Sequence, residues 1–154
     1  MRKPVLLVGS LLLLAISASA FDKRVIVPEG FSASGPFSPG ILVDGTLYAA
    51  GQIGRDAKTN SIPSEFEAEV KQALDNCGAI LHAAGMDFSD VVSVQVYLTD
   101  MELFPRMNAV YTKVFPEPRP ARTTVGVAKL VINARIEITV TARKGGPVVI
   151  PASR

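Results

Sequence analysis

The 154-residue chain predicts an α+β domain: a six-stranded mixed sheet with two helices on one face. Three observations carry that prediction. Segments of strand and helix character alternate in the order β, ββ, α, β, α, ββ. Two helices are too few to cover both faces of such a sheet, so they gather on one. Few strands carry charge on their outer side, so the other face calls for a cover, and a further copy of the chain would supply it.

The first 20 residues stand outside that domain. Arg2 and Lys3 give a positive start, Val5 to Ile16 an apolar core, and Ala18-Ser19-Ala20 a small-x-small cleavage pattern. The pattern predicts a secretory signal peptide cut before Phe21, leaving a single domain over residues 21–154. Its apolar core is short for a membrane span of about 20 residues. The mature protein is therefore expected in the periplasm or secreted, with no stable membrane association. Arg2 and Lys3 leave with the peptide, and the remaining bases then equal the 14 acids. A balanced surface lacks the basic footprint of a nucleic-acid binder and tolerates self-association.

Each element has its own justification. Lys23 to Val27 reads as a short strand stopped by Pro28. Glu29 to Gly40 is rich in glycine and proline and reads as a loop. Ile41 to Val43 and Thr46 to Ala50 flank Asp44-Gly45, the strong signal for a type I′ hairpin. Gly54 to Pro63 is a polar connection. Ser64 opens the best helix, where Ser64-x-x-Glu67 has the spacing of a capping box. Phe66, Val70, Ala73, Leu74, Cys77, Ile80, Leu81 and Ala84 form one stripe at the helical period, and Gly85 is the stop. Cys77, the only cysteine, lies on that stripe and is expected to be a buried thiol. His82, the only histidine, lies on the opposite, solvated face.

Val91 to Leu98 is an interior-type strand, with Val92, Val94, Val96 and Leu98 on one face and Val91, Ser93, Gln95 and Tyr97 on the other. Met101 to Phe115 is a second helix, with Pro105 in its first turn and a stripe of Phe104, Met107, Tyr111 and Val114. Pro116 to Pro120 ends it. Arg122 to Val127 and Ala134 to Ala142 are the last two strands, joined by KLVINA. Residues 145–154 read as a loose tail.

Chemistry concentrates in the last strands. No His/Cys/carboxylate cluster has metal spacing, and no glycine-rich phosphate loop is present. The run PARTTVGV, Pro120 to Val127, sets an always-charged arginine at the head of β-branched residues, and an arginine buried without a partner is costly. Alternation puts Arg122, Thr124 and Gly126 on one face of that strand. It puts Arg135, Glu137, Thr139 and Thr141 opposite the core face of Ile136, Ile138 and Val140. If the Val and Ile faces share one core, Arg122 and Glu137 both point out of it. They would then pair at an interface, or form a cleft where Arg122 grips an anion bidentately and Glu137 handles a proton or a water.

PARTTVGVAKLVINARIEI, Pro120 to Ile138, resembles the signature of the reactive intermediate deaminase family (RidA, also called YjgF). GPFSPG, AAGQIG, LDNCGAILHAAG, VVSVQVYLTD and RMNAVYTKVF resemble its other blocks, in the family's order and across essentially the whole mature chain. The resemblance implies a chorismate-mutase-like fold assembled as a homotrimer, with ligand sites in clefts between subunits. It implies cofactor-independent hydrolysis of reactive enamines and imines, such as 2-aminoacrylate, to a 2-keto acid and ammonia. By the same resemblance Arg122 matches the arginine that binds the substrate carboxylate, and Glu137 the glutamate that works with the attacking water. Asn108 matches a site asparagine, and Gly51 a glycine whose backbone lies near the ligand. Phe37 stands where founding-type members commonly carry a tyrosine, and Thr124 where they often carry a cysteine. The alternatives are a non-catalytic module that binds a small carboxylate in the same cleft, and a ribonuclease or translation inhibitor.

Overall fold

The computed structural model describes residues 22–32 and 36–145. The expected signal peptide and the tail beyond 145 lie outside them. Along the chain run β1 (Lys23–Ile26), β2 (Gly40–Val43), β3 (Thr46–Ala49), β4 (Gln52–Ile53), α1 (Phe66–Ala83), β5 (Val91–Leu98), α2 (Phe104–Val114), β6 (Ala121–Gly126) and β7 (Ile136–Arg143). The strands form one sheet in the order β1-β2-β3-β7-β5-β6, with β4 also paired to β7. Only β5 and β6 run parallel, so the sheet is mixed, as expected. Sheet residues such as Leu47, Val94, Val96, Leu98, Ile136, Ile138 and Val140 are fully buried with Phe66, Val70, Leu74, Cys77 and Ile80 of α1 and Met107 of α2. The core therefore lies between the sheet and two helices on one face, which is the predicted α+β layering.

Local signals account for several elements. Asp44 and Gly45 both have positive φ, 48° and 75°, as a type I′ turn requires. At the end of α1, the Met86 N–H donates to the Leu81 carbonyl and the Gly85 N–H to that of His82, closing the helix in a Schellman motif. Cys77 is buried and His82 exposed. Burial pushes the Cys77 thiol up to about 12, so it stays protonated and unreactive.

Five expectations need correction. The sheet has seven strands, not six, because the strand beginning at Thr46 breaks after Ala49 and resumes as β4. Tyr48 pairs with Thr141, whereas Gln52 pairs with Ile138, so the ladder slips by one residue across the break. The predicted capping box at Ser64 and Glu67 does not form: α1 starts at Phe66 with no side-chain cap. Glu67 instead makes two hydrogen bonds with Arg106 of α2, at 2.7 and 2.6 Å, which tie the helices together. In β5 a register shift between Val91 and Ser93 turns Val91 inward and leaves Val92 half exposed. A bulge inverts the alternation on which the reading of Val92 rested.

The other two corrections concern the last strands. β6 and β7 are consecutive in the chain but not neighbours in the sheet, because β5 lies between them. The chain leaves β5, crosses through α2 and returns as parallel β6, pairing Arg122 with Val94 and Thr124 with Val96. Paired residues share a face, and Val94 and Val96 face the helices. Arg122 and Thr124 therefore point toward the helix layer, not away from it. Arg135, expected on the open face, precedes β7 and reaches α1 instead. The Glu69 carboxylate, wholly buried, accepts the Arg135 backbone N–H at 2.7 Å and its Nε–H at 2.6 Å. Arg135 Nη2 also donates to the carbonyls of Pro63 and Ser64.

Candidate functional site

The six candidate residues fall into two groups on opposite faces of the sheet. Glu137 belongs to the first. It pairs with Ile53 of β4 and Tyr97 of β5 on the face that the helices leave open. Its carboxylate lies directly against Gly51, and a Cβ added there would overlap the Glu137 oxygen. Gly51 is thus required for close approach. It sits in the break between β3 and β4, where the Ala50 N–H donates to Pro39 and the Gln52 amide to Ala50. The register slip opens the strand at that point, and the gap belongs to a cleft of about 700 Å³.

Phe37, Gly51, Ile53, Val131, Ile132 and Glu137 line this cleft. Arg55 is its one cationic lining residue among the described residues. The Asn76 amide holds the carbonyls of Ile53 and Arg55 at 3.0 and 2.9 Å, so α1 fixes the segment that follows the slip. The cleft brings together three of the sequence-predicted residues: Glu137, Gly51 and Phe37. It does not contain Arg122, Asn108 or Thr124.

Those three gather at the other end of the sheet, where β6 meets α2. The Arg122 guanidinium lies 4.5 Å from the centroid of the Tyr111 ring and 5.5 Å from that of Phe104. Cation–π contacts of this kind contribute about 0.5–2 kcal/mol. Asn108 falls between Phe104 and Tyr111 on the same face of α2, by its helical spacing. No carboxylate among the described residues pairs with Arg122. The Thr124 hydroxyl is buried without a hydrogen-bond partner among the described residues, and the buried Tyr111 hydroxyl has only the Arg122 guanidinium beside it. Burial pushes the Tyr111 phenol above its usual range, opposed in part by the Arg122 charge, so Tyr111 remains a neutral donor. A cation and two buried hydroxyls whose O–H donors are unused make a corner that an anion would satisfy.

Several residues were not singled out from the sequence. Tyr111 read only as a stripe residue, because an amphipathic pattern does not separate a packed ring from an available hydroxyl. Val131 and Ile132 sat unremarked in KLVINA, although two adjacent apolar residues in a connection were a signal. Glu69 has no sequence signal, since a carboxylate beside the stripe is ordinarily solvated. No group of three or more His, Cys, Asp or Glu among the described residues could hold a metal.

The two groups cannot close on one small molecule within a chain. Two strand spacings and three residues separate Glu137 from Arg122, which sets their Cα atoms about 14 Å apart before the opposite faces are considered.

The family model described as Endoribonuclease L-PSP matches residues 28–144. The chain is 44% identical over 129 residues to the 2-iminobutanoate/2-iminopropanoate deaminase of Bos taurus, covering 83% of this chain and 94% of that protein. Among solved structures, one from Thermotoga maritima is 38% identical with a TM-score of 0.72, over 80% of this chain and 95% of that one. Escherichia coli TdcF with bound serine is 30% identical with a TM-score of 0.71, over 79% and 96%. The α+β fold, its mixed sheet and its two helices are those of these structures, and the chain belongs to the RidA/YjgF family that the Endoribonuclease L-PSP model describes.

Proposed function

We propose that this protein is a hydrolytic deaminase of 2-imino acids and their enamine tautomers, and that its working site is completed by a second copy of the chain. The carrying observation is the pairing of Glu137 with Gly51 in an open cleft, while the unpartnered cation that would hold a carboxylate faces the opposite way. The deaminases at 40–44% identity support the chemistry. The largely uncharged open face, with Val25, Tyr48 and Val125 exposed, supports self-association. The expected assembly is a homotrimer, with Arg122 of one copy brought to the Glu137 cleft of the next.

In that arrangement the substrate carboxylate bridges Arg122 and the hydroxyls of Tyr111 and Thr124, with Asn108 beside them. The fork of Arg122 orients as well as neutralises it, which a lysine would not do. The C=N carbon then lies over Glu137. Glu137 takes a proton from water as the oxygen attacks that carbon, and the C=N bond becomes a single bond. Glu137 returns that proton to nitrogen, giving a carbinolamine; its hydroxyl proton then passes to nitrogen as the C–N bond breaks and the C=O bond forms, releasing ammonia and the 2-keto acid. Water, imine and products balance without a redox step. The protein's contribution is orientation, proton transfer and a bounded cleft.

The test uses 2-iminopropanoate generated in situ and ammonia as the readout, with an RNA-cleavage control. Arg122→Ala and Glu137→Gln are each expected to lose activity by about 10²-fold or more. Mixing the two after subunit exchange is expected to recover about a quarter of wild-type activity, because one interface in four then pairs the intact halves. Full activity in Arg122→Ala would sink the assignment of that residue. Inactive mixtures would place both residues in one copy's site.

A further inference from the structure

The Glu137 cleft carries more apolar surface than a three-carbon imine can use. Phe31, Phe37, Ile53, Val131 and Ile132 all line it. At about 700 Å³ it falls in the range that accommodates drug-sized ligands. Phe37, Val131 and Ile132 are each more than half exposed, at 63%, 64% and 54%.

One of these side chains is held there against its backbone preference. Ile132 has φ 46° and ψ 33°, and Asn133 follows at φ 59°. A β-branched residue in the left-handed region is an outlier, and a glycine or asparagine would sit there with less strain. Such strain concentrates where surrounding structure enforces it for a purpose. Here the enforcement is visible. The Ala134 N–H closes the turn on the Val131 carbonyl. The next residue, Arg135, is fixed to Glu69 and to the carbonyls of Pro63 and Ser64. The turn is therefore anchored on its β7 side, two residues before Glu137, and it presents isobutyl-sized surface to the same cleft.

We propose that Val131, Ile132 and Phe37 form a side-chain subsite, and that the preferred substrate is a 2-imino acid with a bulky apolar side chain, branched or aromatic. The inference rests on the deaminase reading and specifies which imine that site takes. It departs from the names of the relatives, whose imino acids carry one- or two-carbon side chains. The subsite would lie beside Glu137 on the side away from the incoming carboxylate. Arg55 offers the competing recognition, an acidic side chain. A second copy seated on the lip offers a competing use of the same surface.

The experiment supplies imines as pulses from alanine, leucine, phenylalanine and aspartate with a flavin amino-acid oxidase and catalase. Ammonia release above the spontaneous rate is measured for the wild type and for Ile132→Asn, which keeps a residue suited to the left-handed region. The wild type is expected to favour the leucine- and phenylalanine-derived imines over the alanine-derived one by about tenfold or more. Ile132→Asn is expected to shrink that ratio to near one, with light scattering unchanged. Equal turnover of small and bulky imines overturns the subsite and leaves the deaminase reading standing. A preference for the aspartate-derived imine, lost in Arg55→Ala, overturns it in favour of Arg55. A changed assembly state in Ile132→Asn assigns the lip to a subunit contact and also overturns it. Turnover of none of the four sinks the deaminase reading and the subsite with it.

Discussion

The Glu137 cleft and the Arg122 corner sit on one sheet yet are built by different means. The cleft is made by backbone: a one-residue slip, a missing Cβ at Gly51 and a strained turn leave space around a carboxylate. The corner is made by side chains: two aromatic rings support a guanidinium, and two buried hydroxyls with unused donors lie beside it. One half offers room and a proton acceptor, and the other offers charge and donors. On the proposed reading, chemistry on an anionic imine draws on both, and their placement on opposite faces is why that reading calls for a second copy.

The largest expected effect tests that division at the cleft. Gly51→Ala forces Glu137 from its place, and displacement by about 1 Å at a catalytic group costs about 10²-fold in rate. The loss should fall on kcat with KM little changed if, as proposed, the substrate carboxylate is held at the corner. A large rise in KM would break the comparison, because it would put the grip on the substrate carboxylate in the cleft too. A melting temperature close to wild type would show that the substitution acts on the site rather than on the fold.

Glu69→Ala comes next and tests what holds the cleft. Breaking a buried ion pair typically costs about 3–5 kcal/mol. Arg135 keeps 35% of its side chain exposed, so the lower end of that range, about 3 kcal/mol, is expected in urea unfolding. The cleft should suffer more than the corner, because Arg135 leads directly into β7. Hydrogen exchange rising in β7 and not in α2 would sharpen that distinction.

The smallest effect concerns the corner's scaffold. The hydrogen bonds from Arg106 lower the Glu67 carboxyl from 4.5 to about 2. A depressed folded pKa contributes stability that is present above the unfolded value and is lost as pH falls through the folded one. The wild type should therefore lose this contribution between about pH 4.5 and pH 2. Both side chains are nearly half exposed, so the effect is modest and weakens with salt. Melting temperatures across that window should fall less steeply for Glu67→Gln. Identical slopes would show that the pair adds nothing.

Much of this was legible in the sequence wherever a pattern reports which side of an element is buried. The α1 stripe, the fates of Cys77 and His82 and the Asp44-Gly45 turn all rest on local periodicity or turn chemistry. Periodicity does not say which strands are neighbours. The Val and Ile faces of PARTTVGV and ARIEITVTA are assumed to share one core, and that assumption sets Arg122 and Glu137 on the same face. The helical crossover after β5 removes that assumption and reverses the direction of Arg122. Val92 was misplaced for a related reason: a bulge changes parity without changing composition. Glu69 and Glu67 show a third limit, because a carboxylate's partner 66 or 39 residues away leaves no local trace. The resemblance to the family names the candidate residues, but only coordinates divide them into two groups on opposite faces.

The slip between β3 and β4 has one more consequence. The site is encoded by a count as well as by letters. Removing a single residue between Ala49 and Gln52 would restore one continuous register from Thr46 to Ile53 against β7. The strand would then run unbroken past Glu137, every later inward residue would keep its partner, and the opening would be gone. A scan of substitutions never visits that change. In a lineage of such chains, spacing here would be under as much constraint as any side chain, and a one-codon deletion would be the quietest way to lose the activity while keeping the fold.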